Sequence, residues 1–423
     1  MPFSYININL SLEKTASGYY SGTLSSTEGE AHADFGFPFS SMELENFILR
    51  MGQSRRGLRR VESPQMQAAK AFGTRLFEAL FSGKVRDFYQ TALRSAEREG
   101  QSIRLLLKLS DAPELANVPW EYLYDPSLAR FIALSADTPI VRYLDIPRQI
   151  LPLKVQAPLR VLVMISNPRE YPQLEVEAEW NILNDALSDL IQRGQVSLTR
   201  LAQPTLLALQ EQLRKDEYHI FHYIGHGMFS DYKEDGLLLL EDEQGAGAPV
   251  SGHYLGTLLH DEKSLRLALL NACEGGRTSA SDPYAGAAQQ LVRQGIPAVI
   301  AMQFEVSERT AATLSREFYR SLADNYPVDA ALAEARKAIY TQGQDIEWGI
   351  PVLYMRSSDG QLFDVEPAAD GQTVSQPSQD SAQTPAKSES GGINVSIKGD
   401  VSGQVAIGNN ISQTSKSDED SEE

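Results

Sequence analysis

The N-terminal part of the chain opens on a strict alternation of apolar and polar residues. The alternating apolar positions are Ile6, Ile8, Leu10 and Leu12. A period of two predicts a strand with one buried and one solvated face. Helical patterns follow near 42–51 and 64–98, and a second alternating strand covers 103–109. We therefore expect an α/β region that extends to about residue 155.

From residue 159 the pattern changes to continuous apolar runs separated by helical segments. The run LRVLVMIS (159–166) is typical of a strand buried on both faces. Further strands are predicted at 196–201, 219–225, 265–272, 297–303 and 350–356. Helices are predicted at 175–193, 204–215, 284–294, 307–324 and 327–342, and Ser251 can cap another that ends at His260. Strands that alternate with helices predict a mostly parallel sheet flanked by helices.

The chain after residue 365 has a different composition. Residues 366–390 are rich in Ser, Gln, Pro, Ala and Asp without an apolar period, which is typical of a flexible linker. Two short alternating segments return within 391–413, and residues 414–423 form an acidic end. We therefore predict a folded α/β part followed by a disordered tail that contains one β-prone segment.

The composition limits which partners and which cellular compartment we expect for this protein. The formal net charge of −18 argues against nucleic acid or an anionic membrane as the main partner. The only cysteine, Cys273, suits a reducing compartment. The first residues lack the pattern of a secretory signal, and no apolar run approaches the ~20 residues that span a bilayer. We expect a soluble, cytoplasmic protein without direct membrane binding.

The reactive residues concentrate at the ends of two predicted strands. HYIGHG (222–227) ends one strand with a histidine between glycines, and LLNACEGG (269–276) ends another with the cysteine. If the two strands are neighbours about 4.8 Å apart, both side chains can meet at the rim of the sheet. An imidazole that takes the proton of a thiol makes it a strong nucleophile. We therefore expect His226 as general base and Cys273 as nucleophile, with the backbone N–H groups of Gly227 and Cys273 facing a developing oxyanion.

Each of these residues also has a structural alternative. Cys273 can be an ordinary small buried residue, and His226 a turn histidine bonded to backbone groups. His219 and His222 lie on the strand itself, so we expect them to pack rather than to bind a ligand. No CxxC or HExxH motif accompanies them, which leaves a zinc site unsupported, and we expect neither metal nor cofactor. No glycine-rich phosphate motif stands at a strand–helix junction, so a nucleotide-binding enzyme ranks last.

In these motifs and their order, the stretch from about 155 to 365 resembles a CHAT domain, a branch of the caspase and separase clan. The further matching segments are QQLVRQGIPAVIAMQFEVSE (289–308), AALAEARKAIY (330–340) and EWGIPVLYM (347–355). The resemblance implies a caspase-like protease domain over 156–365, supported by an N-terminal α/β region over 1–155. It further implies a Cys-His dyad endopeptidase that acts on protein substrates, often in bacterial defence or regulated-death systems. A catalytically inactive scaffold that only assembles or binds is the alternative from a different class.

The resemblance also bears on the substrate pocket. Many members of the clan select a charged side chain at P1, the substrate residue before the cleaved bond. Asp282 and Glu305 are candidate pocket acids, which favours Arg or Lys at P1. Asp282 also begins a predicted helix, where a capping role is the alternative.

Residues 401–412 in the tail resemble the RIP homotypic interaction motif, which seeds an amyloid signalling fibre. The matching residues are Val405, Ile407, Gly408, Asn409 and Asn410, with Ala406 where glutamine is usual. Two short alternating segments can stack as cross-β structure with asparagine ladders. We therefore expect 391–413 to bind a second copy of the chain or a partner protein, with a small docked hairpin or disorder as the alternatives.

Overall fold

A computed structural model describes residues 3–27, 29–51, 63–147, 150–230, 235–272, 283–304, 306–343 and 346–367. All of these ranges belong to one unit, Met1–Thr373, and the second unit, Val374–Glu423, lies outside them. Cys273, Asp282, Glu305 and the whole of 391–413 are likewise outside the described residues.

The described ranges contain eighteen strands and ten α-helices. The strands are β1 Tyr5–Lys14, β2 Tyr20–Ser26, β3 Gly29–Phe35, β4 Ser102–Lys108, β5 Tyr124–Asp125, β6 Arg130–Phe131, β7 Ile140–Tyr143, β8 Leu153–Gln156, β9 Leu159–Ile165, β10 Val196–Arg200, β11 Ile220–Gly225, β12 Gly227–Ser230, β13 Asp235–Glu241, β14 Gly247–Ser251, β15 Leu267–Ala272, β16 Ala298–Met302, β17 Pro351–Met355 and β18 Phe363–Glu366. The helices are α1 Ser41–Met51, α2 Pro64–Leu80, α3 Gly83–Glu99, α4 Val176–Ala186, α5 Ser188–Gln192, α6 Leu206–Lys215, α7 Gly252–Leu259, α8 Pro283–Gln294, α9 Glu308–Ala323 and α10 Val328–Thr341. Short 3-10 helices occur at Pro113–Leu115, Trp120–Tyr122, Ile132–Leu134 and Glu347–Gly349.

Eleven of the strands form one sheet in the order β10-β9-β11-β15-β16-β17-β7-β4-β1-β2-β3. Seven of its ten neighbouring pairs are parallel; the antiparallel ones are β16–β17, β1–β2 and β2–β3. Helices pack against this sheet, for example α8 on β16, α4 on β9 and α3 on β4. The predicted α/β fold with a mostly parallel sheet flanked by helices is confirmed.

Burial along the strands follows the sequence pattern. In β1, Ile8, Leu10 and Leu12 are at most 1% exposed while the residues between them are half-buried, so the prediction of one solvated face is confirmed. In β9, four consecutive residues from Val161 are completely buried, as expected for a strand covered on both faces. The Ser251 hydroxyl caps α7 by accepting from the backbone N–H of Tyr254, again as predicted.

Two of the predicted helices are divided in the structure. The segment 64–98 forms α2 and α3, because Phe81 and Ser82 between them have ψ angles of 71° and 152°, which lie outside the helical range. The segment 175–193 forms α4 and α5, interrupted at Leu187. The sequence pattern also missed the β2–β3 hairpin and the antiparallel sheet β12-β13-β14.

Two buried ion pairs involve the N-terminal strands; the first joins them directly to the later part of the unit, and the second does so through Gln303. Arg104 of β4 pairs with Asp329 of α10, and the side chains are 2% and 0% exposed. Arg142 of β7 pairs with Glu121 through two nitrogens at 3.1 and 2.8 Å. Gln303, directly after β16, donates to the same Glu121 carboxylate at 2.9 Å. The N-terminal region therefore supplies both strands and buried charge partners to the sheet.

Across the described ranges, every helix is too short or too polar to cross a lipid bilayer.

Candidate active site

Three neighbouring parallel strands, β9, β11 and β15, end at the same edge of the sheet. β11 pairs with β15 so that Ile224 lies opposite Asn271 and Gly225 opposite Ala272. On its other side, β11 pairs Ile224 with Ile165 of β9. His226 follows β11 directly, so it lies at the carboxyl end of the strand between β9 and β15.

Hydrogen bonds fix the backbone around His226. Its carbonyl oxygen accepts from the N–H of Leu239 at 3.0 Å and lies 2.9 Å from the Tyr223 hydroxyl. The same hydroxyl lies 2.8 Å from the Leu239 carbonyl oxygen. The carbonyl of Gly225 accepts from the Tyr284 hydroxyl of α8 at 2.9 Å. These hydrogen bonds therefore fix the direction in which the backbone leaves β11 at His226.

The ring of His226 is only 1% exposed, and one contact determines its tautomer. Nε2 lies 2.7 Å from the carbonyl oxygen of Pro172, in the loop that follows β9. A carbonyl oxygen only accepts, so Nε2 carries the hydrogen, and in the neutral ring Nδ1 keeps the lone pair. Nδ1 is buried and has no hydrogen-bond partner among the described residues. Tyr171 stacks beside the ring, with centroids 6.1 Å apart.

Gly227 begins the antiparallel pair β12–β13, where it lies opposite Leu238. The bond from the Leu239 N–H to the His226 carbonyl makes Gly227 and Leu238 a non-hydrogen-bonded pair. The N–H of Gly227 is consequently directed away from β13.

His222 on β11 and His219, the residue before this strand, have other environments. His222 is 2% exposed, and its Nδ1 lies 3.0 Å from the Tyr319 hydroxyl of α9. Nδ1 of His219 accepts from the backbone N–H of Arg160 at 2.9 Å. Burial lowers the pKa of His222 to about 3 and the pKa of His219 to about 4, so both are neutral at pH 7. Among the described residues, His, Cys, Asp and Glu side chains form no group of three or more that could hold a metal ion.

The structure thus locates part of the predicted site. His226 and Gly227 lie at the expected edge of the sheet, and the strands that carry His226 and lead to Cys273 are neighbours. Tyr171 and Pro172 were not among the site residues predicted from the sequence. The usable signal was the loop NPREYPQL (167–174), because it follows a third buried strand whose carboxyl end lies at the same edge.

Comparison with known proteins identifies the family. The model of the CHAT domain matches residues 70–379, which is well over half of the sequence. The chain therefore belongs to the CHAT domain family. The matched range begins at residue 70, so it includes part of the N-terminal α/β region.

Among solved structures the chain is similar to several cysteine peptidases. The separase of a Saccharomyces cerevisiae separase–securin complex is 11% identical with a TM-score of 0.47, and the match covers 83% of this chain and 30% of that one. The Arg-specific cysteine proteinase gingipain R is 13% identical with a TM-score of 0.38 and coverages of 76% and 75%. The Drosophila initiator caspase Dronc is 12% identical with a TM-score of 0.28 and coverages of 54% and 99%. The chain spans less than a third of the separase, and no curated protein matches its sequence.

Proposed function

We propose that this protein is a cysteine endopeptidase in which His226 is the general base and Cys273 the nucleophile. The observation that carries the proposal is the register of β11 and β15, which pairs Gly225 with Ala272. His226 and Cys273 are the next residues along the two chains. Consecutive Cα atoms are about 3.8 Å apart and neighbouring strands about 4.8 Å, so the two Cα atoms lie at most about 12 Å apart. The proposed proton transfer requires the two Cα atoms to be closer than that limit, so that Nδ1 and the thiol come within hydrogen-bond distance.

The tautomer of His226 supports the same assignment. Because Nε2–H donates to the Pro172 carbonyl, the lone pair on Nδ1 is available to accept the Cys273 thiol proton. The thiolate then attacks the carbonyl carbon of the scissile peptide bond, and its oxygen becomes an oxyanion. Nδ1–H returns the proton to the leaving amine, and water hydrolyses the thioester to regenerate the thiol. While the ring is cationic, the Pro172 carbonyl continues to accept from Nε2–H and stabilises the imidazolium.

The N–H groups of Gly227 and Cys273 are the proposed oxyanion donors. The direction of the Gly227 N–H away from β13 is compatible with that role. Removing one such donor typically costs ~10²–10³-fold in turnover. Because the donors belong to the backbone, the glycine matters for close substrate approach rather than for a side-chain contact.

Specificity and activation extend the proposal to residues outside the described ranges. Asp282 and Glu305 would supply negative charge to the pocket and favour Arg or Lys at P1. The segment 391–413, through Val405, Ile407 and Gly408-Asn409-Asn410, would cluster enzyme copies or recruit a sensor and thereby raise the effective concentration. Activation by recruitment in a bacterial defence or regulated-death pathway is the context we propose for it.

A library of random peptides tests the activity. Wild-type full-length chain should cleave a subset of peptides, and Cys273→Ala and His226→Gln should cleave none. His253→Gln is the matched control, since it removes an exposed imidazole that lies on α7. The endopeptidase proposal is refuted if every peptide cleaved by the wild type is also cleaved by Cys273→Ala, or if the wild type cleaves none, with or without clustering through 391–413. The inactive scaffold then takes its place.

A further inference from the structure

The loop that holds the Pro172 carbonyl is closed by one side chain. Asn167 stands two residues after β9, and its amide forms both possible hydrogen bonds with the backbone of Leu174. Oδ1 accepts from the Leu174 N–H at 2.9 Å, and Nδ2 donates to the Leu174 carbonyl at 3.1 Å. The amide group thus copies the pairing of a strand residue and joins the two ends of the loop 167–174.

Further hydrogen bonds form within the loop and between the loop and neighbouring strands. The Gln173 amide nitrogen lies 3.1 and 2.9 Å from the carbonyl oxygens of Pro168 and Tyr171. Glu241, at the end of β13, accepts from the backbone N–H of Asn167 at 2.8 Å. Glu170 accepts from the N–H of Gly247 at 3.0 Å. These hydrogen bonds hold the loop through side chains other than that of His226.

We propose that Asn167 is a positioning residue for the catalytic histidine, acting through Pro172. The proposal rests on the base role proposed for His226. By closing the loop at Leu174, Asn167 holds the Pro172 carbonyl, two residues earlier, at 2.7 Å from Nε2 of His226. That carbonyl keeps the hydrogen on Nε2 and the lone pair on Nδ1. Once the loop opens, Nε2–H loses its acceptor, and the ring gains access to the other tautomer, in which Nδ1 cannot take a proton.

The test compares two asparagines that make the same pair of bonds in different places. Asn325 accepts from the Val365 N–H at 2.6 Å and donates to the Val365 carbonyl at 2.9 Å. Val365 lies on β18, which pairs only with β8 among the described strands and carries no proposed site residue. Asn325 also has a φ of +63°, so replacement by alanine adds backbone strain. Asn325→Ala should therefore destabilise the chain at least as much as Asn167→Ala.

Turnover and ring chemistry are measured on both full-length variants. Relative to wild type, Asn167→Ala should lower kcat by ~10²-fold, the effect of a misplaced catalytic group. Its KM should stay within about threefold, because substrate contacts are intact. In Asn167→Ala, the pH dependence of Cys273 alkylation by iodoacetamide should also differ from that of the wild type. Nitrogen-15 NMR of the His226 ring, assigned with His226→Gln, should show Nε2–H alone in wild type and both tautomers in Asn167→Ala. Asn325→Ala should match wild type in all four measurements.

Two results would overturn the proposal: an Asn167→Ala variant with wild-type kcat and tautomer, or an Asn325→Ala variant with an equal loss of kcat. Asn167→Asp, which retains the oxygen acceptor, provides a second variant if the alanine variant does not fold, and it should give an intermediate tautomer ratio. The NMR measurement needs no substrate. A wild type that cleaves no peptide therefore refutes the proposed function, while the tautomer comparison still decides whether Asn167 positions the ring.

Discussion

Gly225, the residue before His226, has no space for a side chain. A Cβ atom at this position would lie 2.5 Å from the Tyr223 hydroxyl oxygen, 2.7 Å from its Cζ and 3.1 Å from the carbonyl oxygen of Ser166. Ordinary contacts of a Cβ begin near 3.4 Å, so in Gly225→Ala the tyrosine hydroxyl must move by almost 1 Å. That hydroxyl is the group that lies within 3 Å of both the His226 and Leu239 carbonyl oxygens.

The expected cost follows from those contacts. Forcing extra volume into a packed interior costs about 1–3 kcal/mol. Loss of the tyrosine hydrogen bonding adds about 1–2 kcal/mol. Gly225→Ala should therefore lower the free energy of unfolding by roughly 2–5 kcal/mol, a large part of the 5–15 kcal/mol typical of a domain. It should also slow alkylation of Cys273, because the His226 backbone is displaced with the tyrosine.

Urea unfolding followed by tryptophan fluorescence measures the change, with Gly22→Ala as the matched control. Gly22 is also a strand glycine of the large sheet, on β2, but a Cβ there would meet its nearest atom, in Phe35, at an ordinary 3.5 Å. Adding Tyr223→Phe to Gly225→Ala should recover part of the loss, because the closest clashing atom is gone. Equal unfolding midpoints for Gly22→Ala and Gly225→Ala would refute the steric argument.

Three further expectations concern stability and assembly. Burial lowers the pKa of His222 and His219 to about 3 and 4 from an ordinary 6.5, so the unfolded chain binds protons that the folded chain does not; the free energy of unfolding should fall by roughly 2 kcal/mol per histidine between pH 7.5 and 5, and a flat urea-midpoint profile would contradict this. Arg142→Ala removes the ion-pair partner of the buried Glu121 carboxylate and should lower the free energy of unfolding in urea by about 3–5 kcal/mol. A decrease under about 1 kcal/mol would show that the pair is unimportant for stability. Deleting 391–413 should leave peptide turnover near normal and abolish assembly measured by light scattering; unchanged oligomers would remove the assembly role.

Much of the fold could be predicted because hydrophobic periodicity reports burial directly. The alternation in β1 and the continuous apolar run in β9 both correspond to the observed exposure. The β2–β3 hairpin was not predicted because its outer strand β3 is largely exposed and carries charged residues. The break between α2 and α3 was not predicted because it occupies only Phe81 and Ser82, and the apolar spacing of a helix continues on both sides of it.

The sequence by itself determined which residues could react: one thiol and one histidine between glycines, each at the end of an apolar run. Only the tertiary structure decided that β11 and β15 are neighbours, since strand order depends on how helices cross the sheet and not on local pattern. Only the tertiary structure, too, brought the Pro172 carbonyl, 54 residues earlier in the chain, to Nε2 of His226. A backbone carbonyl has no residue-type signature, so a contact of this kind cannot be read from sequence.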